Sequence, residues 1–334
     1  MMHVFAPGRV NLIGDHTDYT GGMVLPMAID LGTTVRGDRG GDTIVLRSDA
    51  CEGVAAVPIT VSDPSSVVPE WARYVAGVVA ELRPRQGFVG EITTTLPLGA
   101  GLSSSASLEV AVALAIGDER DPLRLAQLCQ RAEHVGAGVP CGIMDQLIVA
   151  AAVEGHALMI DCHSLERRAV RIPDDVAIYA VHCGEERRLM GSAYADRRAD
   201  CAAAQAVVGP LCEADIDQVE RIADERVRRR ARHVVSENDR VRSFARAIER
   251  GDHVRAGVLM NESHRSLRDD FEVSTTTLDQ LVDGLCATPG VFGARVTGAG
   301  FGGCAVVLAT RSAEITGWRL WPSAAARVSG EVFR

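Results

Sequence analysis

The first 60 residues alternate short apolar runs with Gly and Asp, a pattern that predicts strands joined by turns. These strands are expected at 3–5, 24–28, 33–36 and 43–47. From Trp71 the run WARYVAGVVAEL repeats apolar residues at helical spacing, and 90–96 returns to β-branched residues. The following segments predict a loop and then a helix within 98–116, and further helices over 123–135 and 143–153.

The second half of the chain mixes strand-like and helix-like patterns. Strands are expected at 156–161, 177–183, 293–296 and 305–309, with Arg/Ala/Glu-rich helices up to about residue 260 and another helix at 278–285. At 334 residues the chain exceeds the size at which a single core usually stops growing. We therefore predict an α+β protein with two lobes, 1–175 and 176–334.

Composition and charge argue against nucleic acid and membranes as partners of this protein. The formal net charge is −9, so the surface should repel nucleic acid, and the Arg-rich run 226–232 is interpreted as a solvated helix face. No stretch of about 18 apolar residues predicts a membrane span, and the N-terminus has no basic leader. The nine cysteines form no CxxC pair and predict buried thiols in a reducing compartment. We expect a cytoplasmic protein that binds neither nucleic acid nor membrane.

All 35 basic side chains are Arg, and the chain contains no Lys. This excludes the phosphate loop of the P-loop NTPases and the protein-kinase pattern, because each requires a Lys. Schiff-base chemistry is excluded for the same reason.

The segment 97–107, PLGAGLSSSAS, places two glycines and four serines between a predicted strand and an apolar helix. Glycines allow backbone N–H groups to approach an anion, and the start of the helix adds its positive end. The hydroxyls of Ser103, Ser104 and Ser105 can complete such a site or bind Mg²⁺, which prefers oxygen ligands. A simple turn with a helix N-cap would use the same residue types.

Two further segments concentrate polar groups. The loop 6–22, APGRVNLIGDHTDYTGG, contains the hydrogen-bonding density that a polyhydroxylated ligand needs. In 140–146, PCGIMDQ, Asp145 falls in the first turn of an apolar helix, where the helix dipole favours the ionised carboxylate. Such a carboxylate serves either as a helix cap or as a functional base.

The segment 297–304, TGAGFGGC, formally contains GxGxxG at Gly298, Gly300 and Gly303. A dinucleotide site requires a helix after the glycines, whereas here a strand-like run follows. We interpret these glycines as a place where backbone closely approaches a ligand or another strand.

Six segments occur in a fixed order between residue 6 and about residue 310: GRVNLIGDHTDY, PLGAGLSSSASLEVA, CGIMDQ, DCHSLE, ESHRSLRDDFEVS and TGAGFGGC. Together they resemble the galactokinases of the GHMP small-molecule kinase superfamily. The resemblance implies an N-terminal lobe like domain 2 of ribosomal protein S5, a C-terminal ferredoxin-like lobe, and ATP with Mg²⁺ in the cleft between them. The implied reaction moves the terminal phosphoryl group of ATP onto the anomeric hydroxyl of galactose.

The resemblance also implies roles for individual residues. Asp145 matches the catalytic aspartate and Arg9 the arginine between that aspartate and the phosphates. Ser105 and Glu133 match the Mg²⁺ ligands, although Glu133 could instead be an ordinary surface residue of its helix. The other implied contacts are to galactose, by Asp15, His16, Asp18, Gly142 and Tyr194, and to ATP, by Gly99, Gly101, Leu102, Ser103, Ser104, Ser105 and Trp71. A lone Trp on an apolar helix is also a common core residue.

The chain departs from the family pattern at several positions. Asp15 stands where the family usually has Glu, and His163 where it usually has Arg. An anomeric kinase for a heptose, an octose or an amino sugar is therefore an alternative, as is a non-catalytic galactose sensor. The complete serine segment 103–107 favours an enzyme over a sensor. A monomer that binds ATP and a small sugar is expected.

Overall fold

The computed structural model of the protein describes residues 1–185 and 190–329. The strands are β1 (Met2–Asn11), β2 (Met23–Val24), β3 (Pro26–Arg39), β4 (Thr43–Ser48), β5 (Val54–Pro58), β6 (Phe88–Thr94), β7 (His156–Asp161), β8 (Arg167–Arg171), β9 (Val176–His182), β10 (Val291–Val296), β11 (Cys304–Thr310), β12 (Trp318–Leu320) and β13 (Arg327–Ser329). The α-helices are α1 (Ala72–Leu82), α2 (Ser104–Ile116), α3 (Pro122–Gly136), α4 (Met144–Ala151), α5 (Met190–Val208), α6 (Ile216–Val219), α7 (Glu225–Glu249), α8 (His253–Asp269) and α9 (Thr276–Cys286).

The first lobe is built on a six-stranded sheet in the order β13-β1-β3-β6-β4-β5. The apolar helix α2 packs against β1 and β3, and α1, α3 and α4 complete the helical layer. One continuous core joins the sheet to these helices, and α2 is buried along most of its length. This packing explains why α2 is apolar on all sides, because a helix that is covered all round has no solvent face.

The second lobe contains a four-stranded antiparallel sheet in the order β10-β11-β9-β12. Helices α8 and α9 pack against β10, and the long α7 packs against α8. A core cluster with members from both lobes, including Leu12 and Ile13 on one side and Phe244 and Val306 on the other, joins the two halves. The loop after β1 consequently lies where the lobes meet.

The alternation of polar and apolar residues identified most elements correctly. The predicted strand at 156–161 coincides with β7, and the helix expected over 123–135 with α3. The strand-like run after the glycines of 297–304 is β11, which confirms that this segment has no dinucleotide-binding geometry. Among the described residues, no helix is long and apolar enough to cross a membrane.

The end of the described chain returns to the first lobe. Although the expected division assigns everything after residue 175 to the second lobe, β13 pairs with β1 at the edge of the six-stranded sheet. The backbone near Pro322 likewise pairs with Ile29 of β3. Strand β12, by contrast, belongs to the second sheet.

The interpretation of 226–232 as a solvated face is wrong for Arg230. This side chain is 1% exposed and forms ion pairs with Asp200 and Glu272. Its neighbour Arg226 is 64% exposed, as expected. The helix α7 carries an apolar stripe, and Arg230 lies within that stripe, so it is buried together with its counter-charges.

Candidate active site

A buried arginine joins the end of β1 to the start of α4. Arg9 donates from Nε to Asp145 Oδ1 and from Nη2 to Asp145 Oδ2, both at 2.7 Å. The Arg9 side chain is 6% exposed, whereas that of Asp145 is 27% exposed and therefore accessible to a small molecule. Two parallel charge-assisted hydrogen bonds fix the plane of the carboxylate. The structure thus brings the two predicted catalytic residues into direct contact.

The Gly/Ser segment lies against the same pair. Arg9 Nη1 donates to the Gly101 carbonyl at 2.6 Å, and Ser103 Oγ donates to Asp145 Oδ2. The backbone is left-handed at Gly99 and Gly101, with φ of 74° and 82°, and also at Ser103, with φ of 59°. Strain at a non-glycine residue is typical of positions whose side chain is fixed for function.

Helix α2 begins directly after this loop, at Ser104. The first N–H groups of a helix have no partner within it and carry the positive end of the helix dipole, so they favour an anion. The buried Leu102 carbonyl accepts from Arg9 N at 3.1 Å, which anchors the loop to β1. The predicted phosphate-binding segment therefore has suitable geometry immediately beside Asp145.

Glu133 is not an ordinary surface residue of α3, because it is 6% exposed. Gln146 Nε2 donates to its Oε2 at 2.6 Å, and Ser105 lies nearby. Burial, with a further contribution from the nearby charge of Asp145, raises the pKa of Glu133 to about 7. A cation next to Glu133 would relieve both effects.

A second buried carboxylate, Glu109 of α2, accepts from Gln146 Nε2 at 3.2 Å. Its Oε1 has no hydrogen-bond partner, and burial raises its pKa well above the usual range. Such a concentration of acidic groups fits a hard cation. No group of three or more His, Cys, Asp or Glu side chains in the described residues could hold a metal alone. The donor set of Ser105 and Glu133 suits Mg²⁺, which keeps waters and phosphate oxygens among its ligands.

Asp18 and Gly142 lie together beside Asp145. A Cβ atom at position 142 would overlap the Asp18 carboxylate, so only glycine allows this approach. Burial raises the pKa of Asp18 to about 7, and repulsion from Asp145 contributes to the shift. Both residues line an open cavity of about 350 Å³ whose wall also includes Tyr19 and Arg198.

Aromatic rings form another side of this region. The ring of Tyr194 lies 5.9 Å from that of His16 and 5.6 Å from that of Tyr19, and Phe271 packs 4.6 Å from His16. His16 adopts a left-handed backbone with φ of 65° and contacts the Tyr19 hydroxyl at 3.0 Å and the Ala299 carbonyl at 3.2 Å. Burial lowers the pKa of His16 to about 3, so its imidazole is neutral.

Asp15, another predicted sugar ligand, is almost fully buried, at 2% exposed. Its Oδ1 accepts from Gly298 N at 3.0 Å, and its Oδ2 lies 2.6 Å from Arg295 Nη2. The sequence had identified the segment 297–304 as a place of close backbone approach, and here its backbone contacts both Asp15 and His16. Arg295 was missed, because a single Arg within a strand carries no signal in the sequence.

Trp71 stands apart from the contacts described above. Its Nε1 donates to the Glu52 carbonyl at 2.9 Å, and its ring packs against the core of the first lobe. Its contact with adenine stays a prediction.

Comparisons with known proteins agree with this geometry. The galactokinase galactose-binding signature matches residues 2–39, the GHMP kinases N terminal domain matches 73–155, and the GHMP kinases C terminal domain matches 244–317. The segment from Arg9 in β1 to Asp18 lies within the first match, and the Gly/Ser segment, Glu133 and Asp145 lie within the second.

Alignments with individual relatives cover nearly the whole chain. Galactokinase from Homo sapiens is 44% identical over 93% of this chain and 84% of its own length, and galactokinase from Bos taurus is 44% identical with the same coverage. The crystal structure of Lactococcus lactis galactokinase complexed with galactose superposes with a TM-score of 0.91. That match has 31% identity and covers 98% of this chain and 94% of the other.

Proposed function

The chain belongs to the galactokinase family of GHMP kinases, and from this we propose how its own residues divide the transfer of a phosphoryl group from ATP to galactose. Membership is established by relatives 44% identical over 93% of the chain. The enzyme is therefore an ATP-dependent galactose kinase. The roles of single residues, the metal and the position phosphorylated are the proposal.

The observation that carries the proposal is the contact of Arg9, Asp145 and Ser103 at the start of α2. Phosphoryl transfer depends mostly on positioning and charge stabilisation. Asp145 accepts the proton of the anomeric hydroxyl, or orients that hydroxyl, while Arg9 holds the carboxylate in a fixed orientation and offsets negative charge toward the phosphates. The N–H groups of the Gly/Ser segment bind the phosphates of ATP.

Ser105 and Glu133 would hold Mg²⁺. When bound, the ion neutralises charge on the phosphate oxygens. Gln146 occupies one oxygen of Glu133 and thereby fixes the orientation of that carboxylate. The chain's own contribution is to keep this acidic group buried and aimed toward the start of α2.

The loop 15–18 and α5 supply the sugar contacts. Asp18 accepts from sugar hydroxyls, the backbone at Gly142 lies alongside, and the neutral imidazole of His16 can donate from one nitrogen and accept at the other. Tyr194 closes this side, and Asp15 contacts the far end of the hexose. We place ATP against Gly99, Gly101, Leu102 and the three serines, with Trp71 near adenine.

The nine cysteines form no disulfide, which supports a reducing compartment. On that ground we include a cytoplasmic location in the proposal. The proposal also includes, independently of the cysteines, a monomer that binds sugar and ATP and neither nucleic acid nor membrane. Size-exclusion chromatography with light scattering tests the monomer.

The test is a coupled ADP-release assay over galactose, glucose, N-acetylgalactosamine, arabinose and available heptoses and octoses. We expect galactose to be turned over best and the product to carry phosphate at the anomeric position. A chain that bound sugar and ATP without releasing ADP would be a sensor, and the proposal would fail.

One observation favours a second candidate, a kinase for a larger sugar. Asp15 is about 1.5 Å shorter than the Glu usual in the family, the length of one C–C bond. A water can fill that gap with little loss of affinity, so galactose remains our expectation. Asp15→Glu should then preserve or improve galactose turnover. If wild type preferred a heptose or octose at least tenfold and Asp15→Glu reversed the order, the larger sugar would be the substrate.

A further inference from the structure

A chain of three buried charges lies directly behind the sugar-binding loop. Arg295 of β10 is fully buried, with Asp15 Oδ2 at 2.6 Å on one side and Glu237 Oε1 of α7 at 4.0 Å on the other. Both acids are also buried, at 2% and 0% exposure. We propose that Arg295 is a positioning residue for galactose, which acts by fixing the Asp15 carboxylate at the far end of the sugar.

Asp15 needs such a partner because its side chain is short. A carboxylate that stops short of the sugar can contribute only through a fixed geometry, directly or across one ordered water. Gly298 N engages one oxygen and Arg295 the other, so rotation of the carboxylate would break a charged contact. Burial raises the pKa of Asp15, whereas the charges of Arg295 and Arg9 oppose that shift and favour the ionised form.

Arg295 is itself tightly constrained. Its Nε donates to Ser263 Oγ at 3.1 Å, and its Nη1 donates to the Asn11 carbonyl at 3.3 Å. Ser263 Oγ in turn donates to Glu237. The planar guanidinium therefore has a partner on each side, an arrangement that the point charge of a Lys would not reproduce.

Glu237 extends this control to the backbone of the loop. Its Oε1 accepts from Gly14 N at 3.0 Å, one residue before Asp15. Its other oxygen accepts from Arg240 Nε at 2.6 Å. Despite its burial, the positive charge of Arg240 and the other basic groups around it lower the pKa of Glu237 to about 2. The second lobe thus fixes both the side chain and the main chain of a loop that belongs to the first lobe.

The ATP side of the site is held in place by residues other than Arg295. Within residues 1–185 and 190–329, no hydrogen bond or ion pair joins Arg295 to Asp145, Ser103 or Glu133. A loss of Arg295 should accordingly weaken recognition of galactose while leaving recognition of ATP unchanged. A residue that merely stabilised the fold would alter both together.

This inference depends on the proposed contact between Asp15 and galactose, so the experiment tests that contact first and the role of Arg295 second. The variants are Asp15→Asn, Arg295→Lys and the double variant, and the values measured are kcat and KM for galactose and for ATP. Arg230→Lys is the matched control, because Arg230 is also buried and paired with two acids of the same lobe. Circular dichroism melts identify variants that fail to fold. If Arg295→Lys is one of them, Ser263→Ala takes its place, because it removes the acceptor that orients Arg295 Nε, and it should raise the galactose KM without changing the ATP KM.

We expect Arg295→Lys to raise the KM for galactose by about 10- to 100-fold, the usual effect of losing a charged hydrogen bond. The KM for ATP should stay within about twofold, and Arg230→Lys should leave both KM values unchanged. Because Arg295 acts through Asp15, the double variant should be no worse than the more severe single variant.

Parallel increases in both KM values, or additive effects in the double variant, would overturn the role of Arg295. If Asp15→Asn left the galactose KM unchanged, Asp15 would not contact galactose, and the role proposed for Arg295 would fail with it. A wild type that releases no ADP with galactose would instead refute the proposed function, so the two failures are distinguishable.

Discussion

We expect Asp18→Asn to raise the melting temperature at pH 8, because the buried Asp18 carboxylate destabilises the folded protein when it is ionised. The pKa of this carboxyl rises from 3.8 to about 7 on folding, through burial and repulsion by Asp145. Between these values the folded protein retains a proton that the unfolded chain has lost. The free energy of unfolding therefore falls as pH rises through this range.

The size of the stability change follows from the shift in the pKa of Asp18. At pH 8 the full shift applies and ionised Asp18 costs about 4 kcal/mol, whereas at pH 5 the cost is about 2 kcal/mol. An amide has nearly the same shape as the protonated acid and carries no charge. For a protein of this size, about 2 °C per kcal/mol gives a gain of roughly 8 °C at pH 8 and about half of that at pH 5.

Differential scanning fluorimetry without sugar or nucleotide, at pH 5 and pH 8, measures both values. Asp174→Asn is the matched control, because the Asp174 side chain is 82% exposed and pairs with Arg171 at the surface. That change should alter the melting temperature by little at either pH. A melting temperature for Asp18→Asn that falls at pH 8, or gains equal at the two pH values, would refute the reasoning.

Three further outcomes follow from the site. Glu133→Gln should strongly raise the Mg²⁺ concentration that gives half-maximal activity. In wild type that concentration should rise as pH falls below about 7, since protons compete with Mg²⁺ for the carboxylate. If the Mg²⁺ titration of Glu133→Gln matched that of wild type, the role of Glu133 would be structural. Gly142→Ala should raise the galactose KM about tenfold or more without affecting the ATP KM, because the added methyl overlaps Asp18. Glu109→Gln should raise the free energy of unfolding at pH 8, for the same reason as Asp18→Asn, because burial raises the pKa of Glu109 well above its usual range. Glu109→Ala should be less stable than Glu109→Gln by about 2–4 kcal/mol because it leaves a cavity; urea titrations distinguish the two variants.

Local pattern was sufficient to predict the elements that position the chemistry. The Gly/Ser segment precedes α2 as expected, and Asp145 lies in the first turn of α4. These features depend on neighbours in sequence, such as turn residues and helix starts, which a single chain displays directly. The strand β8 was missed because, in RRAVR, only Val170 is buried, so no alternation marks it.

Contacts between distant segments could not be predicted in the same way. Asp15 and its donor Gly298 are 283 positions apart, and nothing in either segment specifies the other. The pairing of β13 with β1 is a similar case, since a three-residue strand carries too little pattern to name its partner. The burial of Arg230 was not predicted for another reason. A run of arginines on a helix predicts a solvent-exposed face unless the apolar stripe of the helix and the acidic partners of the arginine are considered together.

The central claim is that Asp145 acts on the acceptor hydroxyl, and the turnover of Asp145→Asn tests it most directly. Phosphorus NMR of the wild-type reaction should show the anomeric phosphate of galactose. The variant should fold, bind ATP as wild type does, and lose about 10²- to 10⁴-fold in kcat. A variant within about threefold of the wild-type kcat would contradict the account.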